Sequence, residues 1–567
     1  MNFLTKMRIM AQVYHWRLTW NRKDLHYPPP VKDNPKFMTA WDAVKLIPDG
    51  SVIANSGMGG NQRTALLFWA IRDSFLKEGR PKNLTVLTVG GQGGRGKAPG
   101  TLEELAYEGL NTRLFTAHTE TFKGQLHLAE EGKIEIQCGL IGIMTFMFRE
   151  QIEGRDYFIT ETGIGTFIDP RVGNGSPIAP PNAPQYVEVT PDGKLKFTMP
   201  LLDTAMFNAP AADRKGNIYF KGSSVIGDAK NIAKAAKKNN GRTLVNVGRI
   251  VEEGYDDDYL SAEYVDAVVY WPGTEQSGTI KHRKYWDCFT PHSTMPVDEG
   301  LARVRLINKT LGIMPIRRPI DDVMARLATK LFADHANKGD YVDIGIGLPE
   351  EVARLLHESG VMKKLNMLTE AGAVGGVAAP GVFFGAAINP DKVIPSSDVF
   401  DMMYKRLDWV VLGMLQADSQ GNVNVSKRGK GPKNHVGPGG FIDLVTCAKS
   451  ILFCGAWGAR SKVEVRGDKV KVIAPGIPKF VDKVDEITFN GQEALKHGKN
   501  VYYVSQVGAF KLTSRGMELI YVMPGVDIQK DILDVCPMKI VMPESGAPQV
   551  VGPEVVTGKE FRFELHG

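Results

Sequence analysis

The feature that most restricts the fold of this chain is an ordered set of three short motifs that occurs twice. The first is an apolar run that ends in glycines, the second an apolar run followed by small residues, and the third an aspartate followed by Gly-Asn. They lie at residues 48–60, 84–94 and 213–220, and again at residues 338–350, 365–376 and 418–425. Because the matches keep their order, we infer an internal duplication. The longer gap before the third motif of the first half predicts a large insertion there.

Apolar runs typical of buried strands alternate with helical patterns along both halves. The predicted strands lie at residues 52–54, 84–89, 342–344, 410–412 and 451–454, and two of the predicted helices at 64–77 and 320–336. Such alternation is typical of an α/β fold in which helices connect parallel strands. The chain is therefore predicted to form two related open α/β domains in tandem, with mainly parallel sheets.

The domain limits are predicted from composition. Residues 1–35 form an N-terminal extension, residues 36–312 the first domain and residues 313–567 the second. A stretch rich in Pro, Gly and Asn around 169–200 reads as an irregular insertion of the first domain. The extension mixes basic and apolar residues and lacks the apolar core of a secretory signal. We expect it to pack on the body of the protein or on another subunit; contact with a membrane surface and disorder are the alternatives.

Charge and cysteine content argue against several classes of protein. A net charge of +6 over 567 residues is too small to indicate nucleic-acid binding. No apolar stretch approaches the ~18 residues of a membrane span, so neither a nucleic acid nor a membrane is expected as a partner. The 5 cysteines are an odd number without a C-x-x-C pair, and the histidines show no H-E-x-x-H spacing. These patterns argue against a disulfide framework and a metal site, and they favour a reducing cytoplasm.

The most informative single residue is Glu370, which directly follows the apolar end of a predicted strand. Small residues come next, among them Gly372, Gly375 and Gly376, so little bulk shields the carboxylate. A substrate can therefore bring its reacting atom close to this group. A carboxylate that is positioned and partly desolvated can act as a covalent nucleophile, which is the role the pattern favours.

A glycine-rich loop at residues 91–96 is open to three interpretations. Its G-x-G-x-x-G pattern after a strand is compatible with a dinucleotide site, but Pro99 makes a helix that starts on the glycines awkward. It is otherwise a loop shaped by close packing. In the third interpretation it faces the loop of Glu370 and contributes Gln92 or a backbone N–H group to that site.

Two further loops have patterns of possible chemical use. Residues 437–441 contain adjacent glycines, which either form an ordinary turn or direct backbone N–H groups toward an anion. Residues 427–433 form a basic loop that is either a solvated face or a contact for phosphates. No G-x-S-x-G sequence is present, so a hydrolase with a nucleophilic serine has no support.

Taken together, these motifs resemble the family I CoA-transferases. The resemblance is to the single-chain acetate/propionate type, which acts on short-chain acyl-CoA and carboxylates, and it extends from about residue 49 to about residue 531. The matching segments are residues 91–93, 165–171, 368–376, 384–390, 417–427 and 437–443. Together they are specific, although none would be so alone.

The resemblance implies that Glu370 attacks an acyl-CoA to give an anhydride, then a glutamyl-CoA thioester, in a ping-pong reaction with a carboxylate acceptor. It implies no metal or redox cofactor, a homodimer or homotetramer, and an active site in the cleft between the two domains. The predicted oxyanion donors are Gly439, Gly440 and Gln92. The predicted CoA- and acyl-binding residues are Gly372, Gly375, Gly376, Asn389 and Lys427.

One segment departs from the family pattern. Relatives commonly have a glycine-rich stretch where residues 401–408 of this chain are bulky and charged, including Tyr404, Lys405 and Arg406. We expect this difference to reshape the acyl pocket. Two rival functions remain: an acyl-CoA hydrolase on the same scaffold, and a nucleotide-binding oxidoreductase or ligand-binding protein that uses residues 91–96.

Overall fold

Each half of the chain is built on its own large β-sheet. The computed structural model describes residues 1–93, 98–277, 280–281, 287–313 and 317–567. Both sheets have 11 strands, and their central strands are parallel, which confirms the predicted α/β fold. Residues 94–96 of the glycine-rich loop and residues 314–316 at the predicted domain boundary lie outside the described residues.

The helices lie mostly between strands of the same half, as the alternation of patterns predicted. The α-helices are Phe3–Thr19, Ala40–Val44, Ala65–Glu78, Lys123–Glu130, Ile141–Ile152, Ala229–Lys238, Val297–Leu311, Pro319–Ala333, Pro349–Glu358, Ser396–Lys405, Phe441–Cys447, Gly491–Lys496 and Pro553–Thr557.

The sheet of the first half is parallel except for strands Pro177–Ala179, Ile218–Tyr219 and Tyr259–Leu260. Its strands, in spatial order, are Phe37–Met38, Ala267–Tyr270, Arg242–Val251, Thr204–Asp213, Val52–Asn55, Leu84–Thr88, Asn111–Thr116, Glu135–Cys138 and Pro177–Ala179, with Ile218–Tyr219 and Tyr259–Leu260 attached at one side. Pro177–Ala179 pairs antiparallel with its neighbour.

The sheet of the second half has a parallel centre and antiparallel flanks. Its strands, in spatial order, are Lys392–Val393, Ala373–Val374, Asn366–Leu368, Tyr341–Ile344, Leu407–Gly413, Ala448–Cys454, Asn500–Val504, Gly508–Thr513, Gly516–Val522 and Ile540–Val541, with Gln549–Val550 beside Gly516–Val522.

Both halves also contain short sheets of two or three strands. Their strands are Tyr157–Thr160, Leu195–Thr198 and Val187–Val189; Glu275–Ser277 and Ile280–Lys281; Val377–Ala378 and Ala387–Ile388; Val423–Asn424, Gln416–Asp418 and Phe480–Val481; Gly458–Ala459 and Ile477–Pro478; and Lys462–Arg466 and Lys469–Ala474.

The repeated motifs occupy equivalent places in the two sheets. Val52–Asn55 pairs in parallel with Leu84–Thr88, as Tyr341–Ile344 does with Asn366–Leu368. In the third motif, the N–H of Asp213 donates to the carbonyl of Asn217, and the N–H of Asp418 donates to the carbonyl of Asn422, each at 3.1 Å. The agreement in pairing and turn geometry supports the inferred duplication.

The first half differs by the elements between its second and third motifs. Strands Asn111–Thr116 and Glu135–Cys138 and helix Ile141–Ile152 are inserted there. The stretch predicted as irregular, residues 169–200, contains Val187–Val189 and Leu195–Thr198, which form an antiparallel sheet with Tyr157–Thr160. Regular strands thus occur where frequent Pro and Gly predicted none, because each strand is short enough to fit between these residues.

The N-terminal extension packs on the body of the protein, as expected. Ile9 and Val13 of helix Phe3–Thr19 are buried in a hydrophobic cluster with helix Val297–Leu311 and residues of the second half. By packing, helix Val297–Leu311 therefore belongs to the second core, although it precedes the domain limit at residue 312. That limit stays a prediction.

The two halves face each other through the carboxyl ends of their parallel strands. A large hydrophobic cluster contains side chains of both halves. Helix Ile141–Ile152 contacts helix Ser396–Lys405, where the ring centroids of Phe146 and Tyr404 lie 5.4 Å apart. In open α/β sheets, ligands bind outside the carboxyl ends of the strands, which places the expected site at this junction.

Candidate active site

A cleft of about 630 Å³ lies between the two halves. Its first-half wall consists of residues that follow parallel strands, and its second-half wall surrounds the end of strand Asn366–Leu368. The lining residues include Met58, Gly90, Gly91, His118, Glu120 and Ile141 from the first half, and Asp343, Thr369, Glu370, Ala371, Gly413, Gly439 and Gly440 from the second. The prediction of a cleft between the halves with Glu370 inside it agrees with this geometry.

Glu370 reaches the cleft because the chain turns directly after strand Asn366–Leu368. The N–H of Gly440 donates a hydrogen bond to its carboxylate. The contact is close: a Cβ built on Gly440 would lie 2.6 Å from the Glu370 Cδ and would overlap Oε1. Only glycine at position 440 therefore leaves room for this carboxylate.

Glu370 and Asp343 line the cleft, the carboxyl group of Asp443 lies close behind them, and sequence reasoning found only Glu370. Burial raises the pKa of Glu370 well above its usual value, and the carboxyl groups of Asp343 and Asp443 raise it further, while the Gly440 hydrogen bond lowers it. Burial also raises the pKa of Asp343 to about 7. The Oδ2 of Asp343 has no hydrogen-bond partner among the described residues.

Asp443 is held by one group from each half of the chain. It accepts hydrogen bonds from the N–H of Gly142 and from the hydroxyl of Tyr404, each at 3.0 Å. The Tyr404 hydroxyl is also 2.8 Å from the hydroxyl of Thr162. Burial raises the pKa of Asp443 to about 7.

The expected effect of residues 401–408 on the acyl pocket is wrong in its direct form. These residues do not line the cleft in the part of the chain that the structure describes. Tyr404 instead supports Asp443 from behind, and Arg406 forms an ion pair with Asp408 at 2.7 Å. The departure from the family pattern therefore acts on the carboxyl cluster rather than on the shape of the cleft.

Of the three predicted oxyanion donors, the structure brings only Gly440 to the Glu370 carboxylate. Gly439 lines the cleft, but its N–H donates to the carbonyl of Ala117 at 2.8 Å and is therefore engaged. Gln92 is fully buried, does not line the cleft and lies against Gly57. Both of its side-chain polar atoms lack hydrogen-bond partners among the described residues.

The glycines predicted to bind substrate have structural roles. A Cβ on Gly372 would overlap the carbonyl oxygen of Ile394, and one on Gly375 the carboxylate of Asp391. Gly376 packs in the same way on the backbone of Ile388. All three have positive φ angles, which glycine adopts without strain. They let the chain turn sharply after Glu370, and none of them lines the cleft.

The other predicted binding residues also lie away from the cleft. The side-chain amide of Asn389 donates to the carbonyl of Met295 at 2.6 Å. Lys427 lies 3.6 Å from Glu486 in an ion pair. Neither residue is among those that line the cleft.

Other cations line the cleft instead. Arg305 and Lys479 have no acidic partner within ion-pair distance among the described residues, whereas Arg428 pairs with Glu120 across the cleft at 2.8 Å. Burial lowers the pKa of Lys479, and the charge of Arg428 lowers it further. Sequence reasoning missed Arg305 and Lys479 because they lie far along the chain from Glu370, whereas Arg428 belongs to the basic loop that it named as a possible contact for phosphates.

The register between neighbouring strands is the information that would have identified Asp343 as a neighbour of Glu370. Asp343 pairs with Leu368, and Glu370 follows Leu368 by two positions. Since alternate residues of a strand point to the same face, both carboxyl groups are directed to one side. The equivalent positions of the first half are Ala54 and Val89, so only the second half has the acidic pair.

Comparison with known proteins identifies the family. A model of the family described as coenzyme A transferase matches residues 37–269. The caffeate CoA-transferase of Acetobacterium woodii is 32% identical over 514 residues, which are 88% of this chain and 93% of that protein. The chain belongs to the coenzyme A transferase family. This CoA-transferase moves CoA from an acyl-CoA to a carboxylate, as the resemblance to the family I enzymes implied.

Two further relatives support the assignment of this CoA-transferase. The acetate CoA-transferase YdiF of Escherichia coli K12 is 29% identical over 519 residues, covering 89% of this chain and 93% of YdiF. A crystal structure of the acyl-CoA transferase YdiF from E. coli O157:H7 in a thioester complex with CoA has a TM-score of 0.79. It is 26% identical and covers 93% of this chain and 97% of its own. The predicted fold of two α/β domains is thus confirmed.

Neither a membrane-spanning helix nor a metal-binding cluster occurs within the described ranges of this CoA-transferase. No helix there has both the length and the apolar character needed to cross a membrane. Likewise, the His, Cys, Asp and Glu side chains of those ranges form no group of three or more that could hold a metal ion.

Proposed function

We propose that Glu370 is the covalent nucleophile of CoA transfer. The observation that supports this is the position of its carboxylate, which lies in the cleft between the halves against the N–H of Gly440. The thioester complex of the related YdiF is the kind of intermediate that such a residue forms. A nucleophile of this kind divides one difficult exchange into easier steps.

The proposed reaction has two exchanges in each direction. A Glu370 oxygen attacks the thioester carbonyl carbon, the C–S bond breaks, and the CoA thiolate leaves with the bonding pair. The thiolate then attacks the glutamyl carbonyl carbon, the anhydride C–O bond breaks, and the first carboxylate leaves. The resulting glutamyl-CoA thioester is opened by the acceptor carboxylate in the reverse order. The steps use no metal or redox cofactor, an expectation that stays a proposal.

The Gly440 N–H is placed to stabilise the second exchange. When the thiolate attacks the glutamyl carbonyl, negative charge develops on an oxygen of Glu370 itself. The Gly440 N–H already donates to that carboxylate and needs no rearrangement. A preorganised donor of this kind typically lowers a barrier by about 3–4 kcal/mol.

The proposal is tested by trapping the intermediate. The enzyme is incubated with acyl-CoA, reduced with borohydride and digested, and the peptide containing Glu370 is read by mass spectrometry. We expect a reduced glutamyl side chain, and we expect turnover to require an added carboxylate, with acetate and caffeate as the first acceptors. Full turnover without any adduct at Glu370 would refute the nucleophile, and turnover without an acceptor would favour the hydrolase.

We propose that the cations of the cleft bind the phosphate groups of CoA. Replacing Lys479 by methionine removes a charge without an acidic partner but keeps most of the side-chain length. The KM for acyl-CoA should rise about tenfold, as expected for loss of one charge-assisted hydrogen bond, with little change in kcat. The Lys479→Met variant should keep the wild-type KM for acyl-pantetheine, which has no phosphates. Lys483 lies outside the cleft, so Lys483→Met serves as the control. Equal losses with both substrates would argue against phosphate binding.

The carboxyl pair predicts an unusual pH dependence. Glu370 must be ionised to attack, so the rate rises with pH as this group loses its proton. Asp343→Asn removes a negative neighbour, so the pKa of Glu370 falls and the acid limb of kcat/KM moves to lower pH. The acid side of the kcat/KM profile should also rise over a narrower pH range, because a single carboxyl group titrates there instead of two interacting ones.

The measurement is kcat/KM against pH for the wild type, Asp343→Asn and Glu350→Gln. Glu350 also lines the cleft but is not among the groups that raise the pKa of Glu370, so its variant should keep the wild-type midpoint. A midpoint that stays in place or rises in Asp343→Asn would contradict the coupling.

Two sequence-based expectations remain part of the proposal. A homodimer or homotetramer is expected from the family resemblance, and light scattering of the purified enzyme measures it. A cytoplasmic location is expected from the cysteine pattern, and fractionation of the source cells tests it.

A further inference from the structure

The N-terminal helix Phe3–Thr19 has two apolar faces, only one of which is covered. Ile9, Val13 and Trp16 are buried, and the indole N–H of Trp16 donates to Glu275. These contacts fix the inner face on the body of the protein. The orientation of the outer face follows from them, because successive residues of a helix are separated by about 100°.

The outer face forms a continuous apolar stripe. Leu18 is 84% exposed, Phe3 73% and Leu4 67%. The stripe consists of Phe3, Leu4, Met7, Met10, Ala11, Tyr14 and Leu18. On a helical projection these residues fall within about 120°, which is as wide as the buried stripe of an ordinary amphipathic helix. A stripe of this width on a fixed helix indicates a surface made for contact.

Basic residues border the stripe on both sides. Lys6 and Arg17 lie along one edge, and Arg8 and His15 along the other. The sequence contains no acidic residue before Asp24. Lys6, Arg8 and Arg17 are exposed and have no acidic partner among the described residues; the guanidinium of Arg17 instead lies 5.4 Å from the ring centroid of Trp20.

We propose that this helix docks the enzyme on an anionic lipid surface. The apolar stripe would enter the boundary between headgroups and acyl chains, and the bordering cations would remain among the anionic headgroups. Its charge complements such a surface. If the stripe instead paired with the same helix of a second copy, the basic residues that border the two stripes would lie close together without acidic partners on either helix. Like-charge repulsion opposes such a pair. This is the membrane-surface alternative stated for residues 1–35, and it replaces the expectation that no membrane takes part.

Vesicle binding tests the proposal independently of catalysis. The full-length enzyme is mixed with vesicles of phosphatidylcholine alone, or of equal parts phosphatidylcholine and phosphatidylglycerol, and the bound fraction is measured by flotation. We expect binding to the anionic vesicles to exceed binding to the neutral ones at least tenfold and to weaken as salt is added. The double variant Phe3→Ser/Leu18→Ser should lose this binding and keep the wild-type transfer rate, because both side chains are exposed and neither lines the cleft.

A matched control replaces apolar side chains that are exposed elsewhere. Ile477 and Val550 are 61% and 60% exposed, and Ile477→Ser/Val550→Ser should bind vesicles as the wild type does. Lys6→Gln/Arg8→Gln should weaken binding to anionic vesicles. Absence of binding, or binding that survives in the stripe variant, would overturn the proposal. A third outcome would also overturn it: the wild type does not bind vesicles, and light scattering shows that the stripe variant has a lower oligomeric state than the wild type. The stripe would then form a contact between copies of the chain.

Discussion

Replacing Glu370 by alanine is expected to lower kcat for CoA transfer by at least about 10⁴-fold, the scale seen when a covalent nucleophile is removed. The loss follows because no other carboxyl of the cleft is placed to replace it. Asp343 lines the cleft beside Glu370 and Asp443 lies behind them, but the Gly440 N–H donates to Glu370 alone among the three. The KM for acyl-CoA should change little, since the cations proposed to bind the CoA phosphates are untouched. Steady-state kinetics with a saturating acceptor measure the effect.

Two variants separate this role from a general effect of charge. Glu350→Ala removes another carboxyl that lines the cleft and should keep most of the activity. Glu370→Asp keeps the charge but shortens the side chain, so the carboxylate withdraws from Gly440 and slow acyl-CoA hydrolysis should remain. Transfer by Glu370→Ala within tenfold of the wild-type rate would disprove a covalent role.

Stability offers a second readout for the same variant. Burial raises the pKa of Glu370, so the folded state binds its proton more tightly than the unfolded state does. Ionisation of such a group therefore costs stability as pH rises through and above its unfolded value. Glu370→Ala should consequently unfold at a temperature equal to or above that of the wild type at neutral pH. Lost activity then cannot be ascribed to unfolding.

The sequence was sufficient to predict the large sheets and the position of Glu370. Strand runs such as residues 410–412 and 451–454 are strongly apolar, so burial leaves few alternatives for them. The place of Glu370 at a strand end, followed by glycines, could likewise be read from the local sequence. In the structure Gly372 and Gly375 make room for Ile394 and Asp391, and the prediction that these glycines bind substrate stays a prediction.

The features of the site that the sequence did not predict concern contacts between segments distant in sequence. The N–H of Gly439 was predicted to face the substrate, but the loop after strand Asn111–Thr116 supplies the Ala117 carbonyl that accepts it. Asp343 could be recognised as a neighbour of Glu370 only from the strand register. Lys479 is brought to the cleft from far along the chain. Such partners depend on packing between the halves, which local sequence patterns do not encode.

Replacing Gly440 by alanine is expected to lower kcat by about 10²- to 10³-fold while leaving the fold intact. The backbone permits alanine here, because φ is −91° and ψ is 4° at this residue. The three described atoms nearest to the new Cβ all belong to Glu370, whose Cδ would lie 2.6 Å away. Glu370 must therefore rotate away, and it loses both its hydrogen bond and its attack geometry.

Gly413→Ala is the matched control for this substitution. Gly413 lines the same cleft, but a Cβ built on it meets no atom within 4 Å, so transfer should stay near the wild-type rate. In Gly440→Ala, borohydride trapping should give much less of the Glu370 adduct, and the thermal midpoint should change little. If Gly440→Ala transferred CoA as fast as Gly413→Ala, the contact between the Gly440 backbone and Glu370 would have no part in the reaction. Since both substitutions add one methyl group to the same cleft, any difference between them reports on Glu370 rather than on the space available to substrate.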